Sequence, residues 1–289
     1  MADIKSWTGE RLETFVYNEN TNEHLHRYAL AIQLVSGKDI LDIACGEGYG
    51  SNLMAASARS VAGVDIDEQT IVRAKEKYKK ENLSFLAGSV VHIPYPDANF
   101  DVVISFETIE HHDEHEKMMQ EIKRVLRPGG ILFISSPDKL YYSDKTGFKN
   151  PYHVKELYRT EFESLLKKHF TSNHFFGQRS FFGSIITPFA GSAGADALTV
   201  FKSDYTTVDS SGMDAVYVIA LSSDGPLPPF NDSLLDGAEV LRRQFEDYRI
   251  EVTKDAVGNI TREIRSSWSF RIGHFILSPM RLVKKIFHA

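Results

Sequence analysis

Three glycines follow an aspartate in the segment DIACGEGYG, which spans residues 42–50. The segment lies between an apolar run and a stretch of helical period, so Gly46 and Gly48 predict a turn whose backbone approaches a bound nucleotide. A second acid closes the next apolar run, because Asp65 lies 23 residues after Asp42. An acid at that place can bind ribose hydroxyls. Together these residues predict a nucleotide-binding site.

Two side chains in and around this turn narrow the choice of nucleotide. The dinucleotide fingerprint G-x-G-x-x-G needs glycine at position 51, where this chain has Ser51, and Gly50 is out of register. The Asp42 carboxylate would repel a pyrophosphate but attract an ammonium or sulfonium, directly or through water. The turn therefore favours a cationic ligand such as S-adenosylmethionine.

Histidines supply the candidate acid–base groups. His111 and His112 follow the fourth apolar run, and His153 begins a later helical stretch. Ligands of open α/β sheets gather at the carboxyl ends of strands, so His111 or His153 can act as a general base there. The alternative is that His111 and His112, with Glu110, only hold the turn in place. No metal site is predicted, because His111, His112 and His115 lack a zinc spacing and adjacent side chains diverge.

Short apolar runs alternate with helical segments between residues 38 and 138, which is typical of a parallel sheet with crossover helices. Predicted strands cover residues 38–45, 60–66, 83–88, 100–107, 130–136, about 173–180 and about 215–222. Helices are predicted between them, and Arg127-Pro128-Gly129-Gly130 ends the one before the fifth strand. Residues 154–170 predict another amphipathic helix.

An upstream helix is predicted from Asn20, which forms a capping box with Glu23, to about Val35. Its apolar stripe is formed by Leu25, Tyr28, Ala29 and Ile32. On the same helix Arg27, with Tyr28, can close over a ligand carboxylate, although solvation at the surface is the other interpretation. The Phe- and Ser-rich stretch between the last two predicted strands is long enough to form a lid or a substrate wall.

The chain is predicted to consist of a domain over residues 1–223, a Pro-rich linker over 224–232 and a helical extension over 233–289. A heptad-like seam within residues 234–256 favours a homo-oligomer, and a helix folded onto its own domain is the alternative. The seam consists of Leu234, Ala238, Leu241, Phe245, Tyr248 and Val252. Beyond Pro279, a basic amphipathic helix with Met280, Val283, Ile286 and Phe287 on its apolar side suits an anionic membrane surface, or docking on protein.

Composition limits the functional class. The 289 residues carry a formal net charge of −6, which argues against a nucleic-acid partner. Residues 261–289 nevertheless hold six basic residues against one acidic residue. The chain has a single cysteine and no apolar run that would span a bilayer, so we expect a cytoplasmic protein, with a peripheral position at the inner membrane face as a further option.

Four segments in order resemble the motifs of class I S-adenosylmethionine-dependent methyltransferases: ILDIACGEGYGS, VAGVDID, LAGSVVHIPYPDANFDVVISFETIEHH and RVLRPGGILFISSP. The resemblance covers about residues 20–170. It implies a Rossmann-like α/β sheet of seven mostly parallel strands, the last of them antiparallel, with a C-terminal helical extension here. It also implies that Gly46 and Gly48 bracket the methionine part, Asp65 holds the ribose and Ile66 flanks the adenine. Ser89 and Val90 would meet the adenine edge, and the backbone near Phe106 the methionine end.

The chain departs from the family pattern at Ala44, where glycine is frequent, and at Ser89, where aspartate is frequent. The segments GERLETFVYNENTNEHLHRYALA, FETIEHHDEH, NPYHVKELY and SSWSFRI are similar to methyltransferases of bacterial surface-polysaccharide (O-antigen type) biosynthesis. That likeness implies a sugar or glycolipid hydroxyl as acceptor. Alternatives are O- or N-methylation of a small metabolite, a nicotinamide-dependent oxidoreductase, and a non-catalytic scaffold of the same fold.

Overall fold

A computed structural model describes residues 19–181, 200–201, 207–208, 214–231 and 233–272. The chain divides into two compact units, Met1–Leu235 and Asp236–Ala289. Most of the predicted lid or wall segment and the whole basic helix beyond Pro279 lie outside the described residues.

Seven strands of the first unit form one sheet among the described residues: β1 (Asp39–Ile43), β2 (Ser60–Asp65), β3 (Leu83–Ala87), β4 (Phe100–Ser105), β5 (Leu126–Pro137), β6 (Ser172–Gln178) and β9 (Tyr217–Ser223). Their order in the sheet is β3-β2-β1-β4-β5-β9-β6. The first five pair in parallel, and β9 runs antiparallel between β5 and β6. The predicted seven-stranded, mostly parallel sheet is confirmed. The short strands β7 (Val200–Phe201) and β8 (Thr207–Val208) pair separately.

Helices cover both faces of this sheet, because alternate side chains of its strands point in opposite directions. Leu41, Ile43 and Val103 share a core cluster with the helices α4 (His115–Val125) and α5 (Arg159–His169). Ile40, Val102 and Ile104 share a second core cluster with α1 (Glu19–Leu34) and α2 (Tyr49–Met54). Helix α3 (Glu68–Lys77) packs with Phe85 of β3.

The start of α1 differs from the prediction. The helix already includes Glu19, so Asn20 lies inside it and the capping box is wrong. The Glu23 side chain is buried and hydrogen-bonds Tyr217 instead. The predicted stripe is also wrong in part, since Ala29 and Ile32 are exposed. The buried side is formed by Arg27, Tyr28, Ala31, Leu34 and Val35.

Two later boundaries shift for identifiable reasons. Strand β5 begins at Leu126, before the Arg-Pro-Gly-Gly segment. The register between β4 and β5 shifts at this segment, between the pairs Phe100↔Leu126 and Val102↔Ile131. Helix α5 begins at Arg159 rather than near 154. The amides of Val154 and Lys155 donate to the Glu110 carbonyl at 2.8 and 3.0 Å, which takes this segment out of the helical pattern.

The second unit contains α6 (Ala238–Ser266), a helix with apolar side chains exposed along its length. None of the helices within the described ranges is long and apolar enough to cross a membrane.

Candidate functional site

The turn between β1 and α2 has an unusual backbone. Ala44, Gly46 and Gly48 all have positive φ, at 60°, 54° and 79°. A Cβ atom on Gly46 would meet no atom within 4 Å, so this position borders open space. A Cβ atom on Gly48 would lie 2.4 Å from the Phe85 ring. Close approach of a ligand therefore concerns Gly46, whereas Gly48 is required by packing inside the protein.

The Asp65 carboxylate closes the turn against the end of β2. One oxygen accepts from the Gly46 amide at 2.9 Å, and the other accepts from the Asp67 amide at 3.0 Å. The Asp65 carbonyl accepts from the Gly88 amide, which brings the end of β3 to the same edge. Ile66 follows and is 74% exposed. The predicted ribose and adenine residues thus lie along one edge of the sheet.

Asp42 lies beneath the turn rather than on its surface. It is buried, and its carboxylate accepts from the Ser51 hydroxyl at 2.6 Å and the Tyr28 hydroxyl at 3.4 Å. Burial raises the pKa of Asp42 to about 7. Ser51, which breaks the dinucleotide fingerprint, therefore has a role as the donor to this carboxylate. Asp42 can act on a ligand only through its field or through the groups that cover it.

The remaining predicted cofactor residues follow β3 and β4. The Ser89 hydroxyl accepts from the Val91 amide at 3.3 Å, and Val90 packs, partly buried, against the core. Phe106 is buried, with its ring 5.2 Å from that of Tyr28 and 5.0 Å from that of Phe133. Its side chain therefore belongs to the core, and only its backbone is available to a ligand.

The two histidines predicted separately as bases lie together. The rings of His111 and His153 are 5.1 Å apart and nearly perpendicular. His111 Nδ1 lies 3.0 Å from the Tyr152 carbonyl oxygen, and His153 Nδ1 lies 2.6 Å from a Glu156 carboxylate oxygen. His111 ends a short 3-10 turn, Ile109–His111, that follows β4, so the pair lies in the segments beyond the carboxyl end of that strand.

His112 and His115 are turned away from this pair. His112 Nε2 contacts the Met118 sulfur at 3.2 Å, and His115 Nε2 lies 2.7 Å from the His112 carbonyl oxygen. Burial lowers the pKa of both imidazoles. These two side chains secure the start of α4.

Comparison with known proteins identifies the domain that carries this site. Residues 41–134 match the family described as "Methyltransferase domain". This stretch is therefore part of a methyltransferase domain. S-adenosylmethionine is the cofactor of this domain. The open space at Gly46 and the carboxylate at the end of β2 fit such a ligand.

Relatives and solved structures agree with this domain. A probable S-adenosylmethionine-dependent methyltransferase of Mycolicibacterium smegmatis is 36% identical over 55% of this chain and 63% of its own length. A similarly named protein of Mycobacterium tuberculosis is 35% identical over 56% and 60%. The chain thus spans about three fifths of these relatives' length. Phthiotriol/phenolphthiotriol dimycocerosates methyltransferase 1 of Mycobacterium ulcerans is 31% identical over 40% and 45%.

The fold of the methyltransferase domain also occurs in proteins of low identity. The YcgJ protein of Bacillus subtilis matches with a TM-score of 0.51 and 16% identity, over 70% of this chain and all of that protein. A Pyrococcus horikoshii protein, PH0226, matches with a TM-score of 0.51 and 19% identity, over 76% of this chain and 96% of its own.

The first unit also contains a buried polar network that the sequence patterns did not predict. Arg27 is 1% exposed and donates to the Glu107 carboxylate, and to the Ser135 hydroxyl at 2.8 Å. Its guanidinium also lies 4.9 Å from the centre of the Tyr217 ring. Glu107 has a positive φ of 50°, which is uncommon outside glycine.

This network lies beside the ends of β4 and β5, at the same edge as the glycine turn. The sequence contained one signal for it, because Arg27 falls on the same helical side as the buried Tyr28, Ala31 and Leu34. The alternative that solvation explains Arg27 is therefore wrong.

Proposed function

We propose that the protein transfers a methyl group from S-adenosylmethionine to a hydroxyl of a saccharide or glycoconjugate in surface-polysaccharide biosynthesis. The cofactor supplies a methyl group already activated by a sulfonium, so the protein mainly has to align the two partners and exclude water. The observation that carries the proposal is the His111–His153 pair, whose rings are 5.1 Å apart. His111 comes after β4, the parallel neighbour of the strand β1 that precedes the glycine turn.

The cofactor residues keep the roles that the motifs imply. The proposed ligand passes Gly46 at the open side of the turn, with its ribose hydroxyls at Asp65 and its adenine between Ile66 and the Ser89–Val90 backbone. Its methionine end would face the backbone near Phe106. Support comes from the hydrogen bond between Asp65 and the Gly46 amide, which holds the carboxylate at the turn.

His111 is the proposed general base, and His153 positions its ring. The Tyr152 carbonyl can only accept, so His111 Nδ1 is its donor and Nε2 keeps an acceptor lone pair. The hydroxyl proton would pass to Nε2 while the oxygen forms its bond to the methyl carbon. The electron pair of the broken carbon–sulfur bond stays on sulfur.

A saccharide is proposed as acceptor because the histidine pair is surrounded by aromatic and amide side chains. Tyr142 stacks on the His153 ring at 5.2 Å, and Tyr152 is 45% exposed beside it. Aromatic faces and amides are suited to the apolar and hydroxyl surfaces of a sugar. The basic segment at residues 261–289 would keep the enzyme peripheral at the inner membrane face, near lipid-linked substrate.

A lipid hydroxyl is the second candidate acceptor. Its basis is the relative from Mycobacterium ulcerans, which is named as a phthiotriol/phenolphthiotriol dimycocerosates methyltransferase. Methylation of a small metabolite at O or N is the third. The nicotinamide-dependent alternative is dropped because the domain uses S-adenosylmethionine.

Incubation of the full chain with S-adenosylmethionine and panels of nucleotide sugars, lipid-linked saccharides and free lipids tests the proposal. Mass spectrometry should find a gain of one methyl group on a saccharide oxygen. Methylation of the free lipids alone would contradict the saccharide proposal. Calorimetry in parallel should detect binding of S-adenosylmethionine but not of NAD, and the reverse result would overturn the whole assignment.

A further inference from the structure

The histidine pair is joined by a third side chain with a metal-binding group. Glu110, His111 and His153 each offer one ligand atom, and these atoms all lie within 4.8 Å of one another. We propose that these three residues bind a divalent transition-metal ion, of which Zn²⁺ is the reference case. This set differs from the sequence cluster of His111, His112 and His115, because His153 lies 42 residues after His111.

The tautomers of both imidazoles suit metal binding. Nδ1 of His111 points to a carbonyl oxygen and Nδ1 of His153 to the Glu156 carboxylate, so both Nδ1 atoms are donors. The Nε2 atoms therefore carry the lone pairs. Metal-binding histidines usually donate their other N–H to a carbonyl or carboxylate, which fixes the tautomer and raises the basicity of the ligand nitrogen. Both histidines here have such a partner.

The backbone holds the ligands from the two segments in one place. The Glu110 carbonyl accepts from the Val154 and Lys155 amides, and the His111 imidazole reaches the carbonyl of Tyr152. His111 Nε2 lies 3.9 Å from a Glu110 carboxylate oxygen. Ligand atoms on one tetrahedral zinc ion lie about 3.4 Å apart, so small side-chain rotations would complete the site.

Burial adds to the argument for a cation. The Glu110 side chain is 1% exposed and the His153 side chain 7%, whereas that of His111 is 31% exposed. A cation bound here would thus have a carboxylate ligand in a low-dielectric setting and one open side. His153 Nε2 accepts from the Asn150 amide at 3.0 Å, so a metal ion would replace that hydrogen bond.

Two imidazoles and one carboxylate form a ligand set of catalytic zinc sites, and such sites keep an open position. The role of the ion rests on the proposed function. A hydroxyl oxygen of the acceptor would take the open position, and the ion would lower its pKa. The hydroxyl proton then leaves to water, the oxygen bonds the methyl carbon, and the carbon–sulfur electron pair stays on sulfur. With the ion bound, His111 would act as its ligand, and the role of His111 as general base would apply to the enzyme without the ion.

Calorimetry on the chelator-treated 289-residue chain tests the site with ZnCl₂, MnCl₂ and MgCl₂ as probes. We expect one equivalent of Zn²⁺ or Mn²⁺ to bind. Replacement of His111 or His153 by alanine should weaken binding at least 100-fold, and Glu156→Gln about 10- to 100-fold, as is typical of an outer hydrogen-bond partner. His112→Ala is the matched control and should bind like the native protein, because its imidazole faces Met118.

S-adenosylhomocysteine binding, measured on the same samples, shows that each variant is folded. The proposed metal site is wrong if the native protein binds no metal ion, or if His112→Ala loses metal binding to the same extent as His111→Ala. Metal binding without methylation of any hydroxyl would leave the site intact and reject the proposed function. Methylation that is unchanged by the chelator would keep the function and assign His111 to proton transfer.

Discussion

A Cβ atom added at Gly46 would enter open space, whereas at Gly48 it would lie 2.4 Å from the Phe85 ring. Both residues have positive φ, so side chains at both positions carry a backbone cost of about 1 kcal/mol or more. At the scale of single residues, the two glycines of one turn thus serve different purposes. The first leaves room for a ligand, and the second leaves room for a core ring.

Alanine substitutions should separate these purposes. Gly48→Ala should lower the free energy of unfolding by about 1–3 kcal/mol beyond the backbone cost, because the added methyl group overpacks the core at the Phe85 ring. Gly46→Ala should be milder for stability but should weaken S-adenosylhomocysteine binding at least about tenfold. Denaturant unfolding and calorimetry measure the two effects. Native affinity in Gly46→Ala would show that no ligand passes this position.

Asp42 predicts a pH dependence of stability. Its pKa is raised from 3.8 to about 7 in the folded state, so the folded protein retains a proton that the unfolded chain releases. The contribution of this group to stability is therefore fully present below about pH 4 and falls as pH rises to about 7. Asp42→Asn should lack this component while still accepting from Ser51. The free energy of unfolding of the native protein and of Asp42→Asn should be measured at half-unit pH steps. If the two proteins show the same pH dependence, the pKa of Asp42 is not raised.

The His111 imidazole is expected to be needed for turnover but not for cofactor binding. His111→Ala should lower kcat by about 10²-fold or more, because it removes either the general base or, if the ion is bound, one of its ligands. His112→Ala should retain turnover because its ring is occupied at the start of α4. Assays of methyl transfer with calorimetry of S-adenosylhomocysteine binding make the comparison. Full activity of His111→Ala would assign this side chain to structure.

At the scale of elements, α1 is joined to the sheet by charge as well as by apolar packing. Arg27 reaches Glu107 after β4 and Ser135 in β5, and the Gln178 amide donates to the Glu23 carbonyl at 3.0 Å. The helix is thereby held over the carboxyl ends of the strands. A positive φ at Glu107 is a further sign that the turn after β4 is constrained by this contact.

Loss of the Arg27 guanidinium should be costly for that reason. Arg27→Met should lower the free energy of unfolding by roughly 3–5 kcal/mol, since Glu107 loses its buried partner. Arg59→Met is the matched control, because Arg59 also pairs with carboxylates but its side chain is 57% exposed, so it should cost less than about 1 kcal/mol. The double variant Arg27→Met/Glu107→Gln should regain part of the loss. Equal costs for the two single arginine variants would reject the buried pair as the cause.

At the scale of the whole molecule, α6 carries the apolar seam that the sequence predicts to be an oligomer contact. Phe245, Tyr248 and Val252 are 64%, 65% and 47% exposed, and they recur at heptad spacing on one side of the helix. Exposed apolar seams of this kind suit pairing with another helix. The basic segment beyond Pro279 is a separate prediction for membrane contact.

Sedimentation velocity of the full chain should show a dimer or larger species at micromolar concentration. Phe245→Asp should shift it to the monomer, because a charge would be buried in the seam. Ile250→Asp is the control on the opposite side of the same helix, with a side chain that is 62% exposed. If the native protein is monomeric, or if both variants dissociate alike, the seam is not an oligomer contact.

The sequence by itself determined the parallel sheet, the class of the domain and its cofactor, because these depend on local patterns: apolar runs, glycines at a strand end and an acid one strand later. The pairing of His111 with His153 and the burial of Arg27 were decided only by the tertiary structure. Each depends on contacts between segments far apart in the chain. The spacing of DIACGEGYG likewise predicted a turn, but only the Phe85 ring distinguishes Gly48 from Gly46.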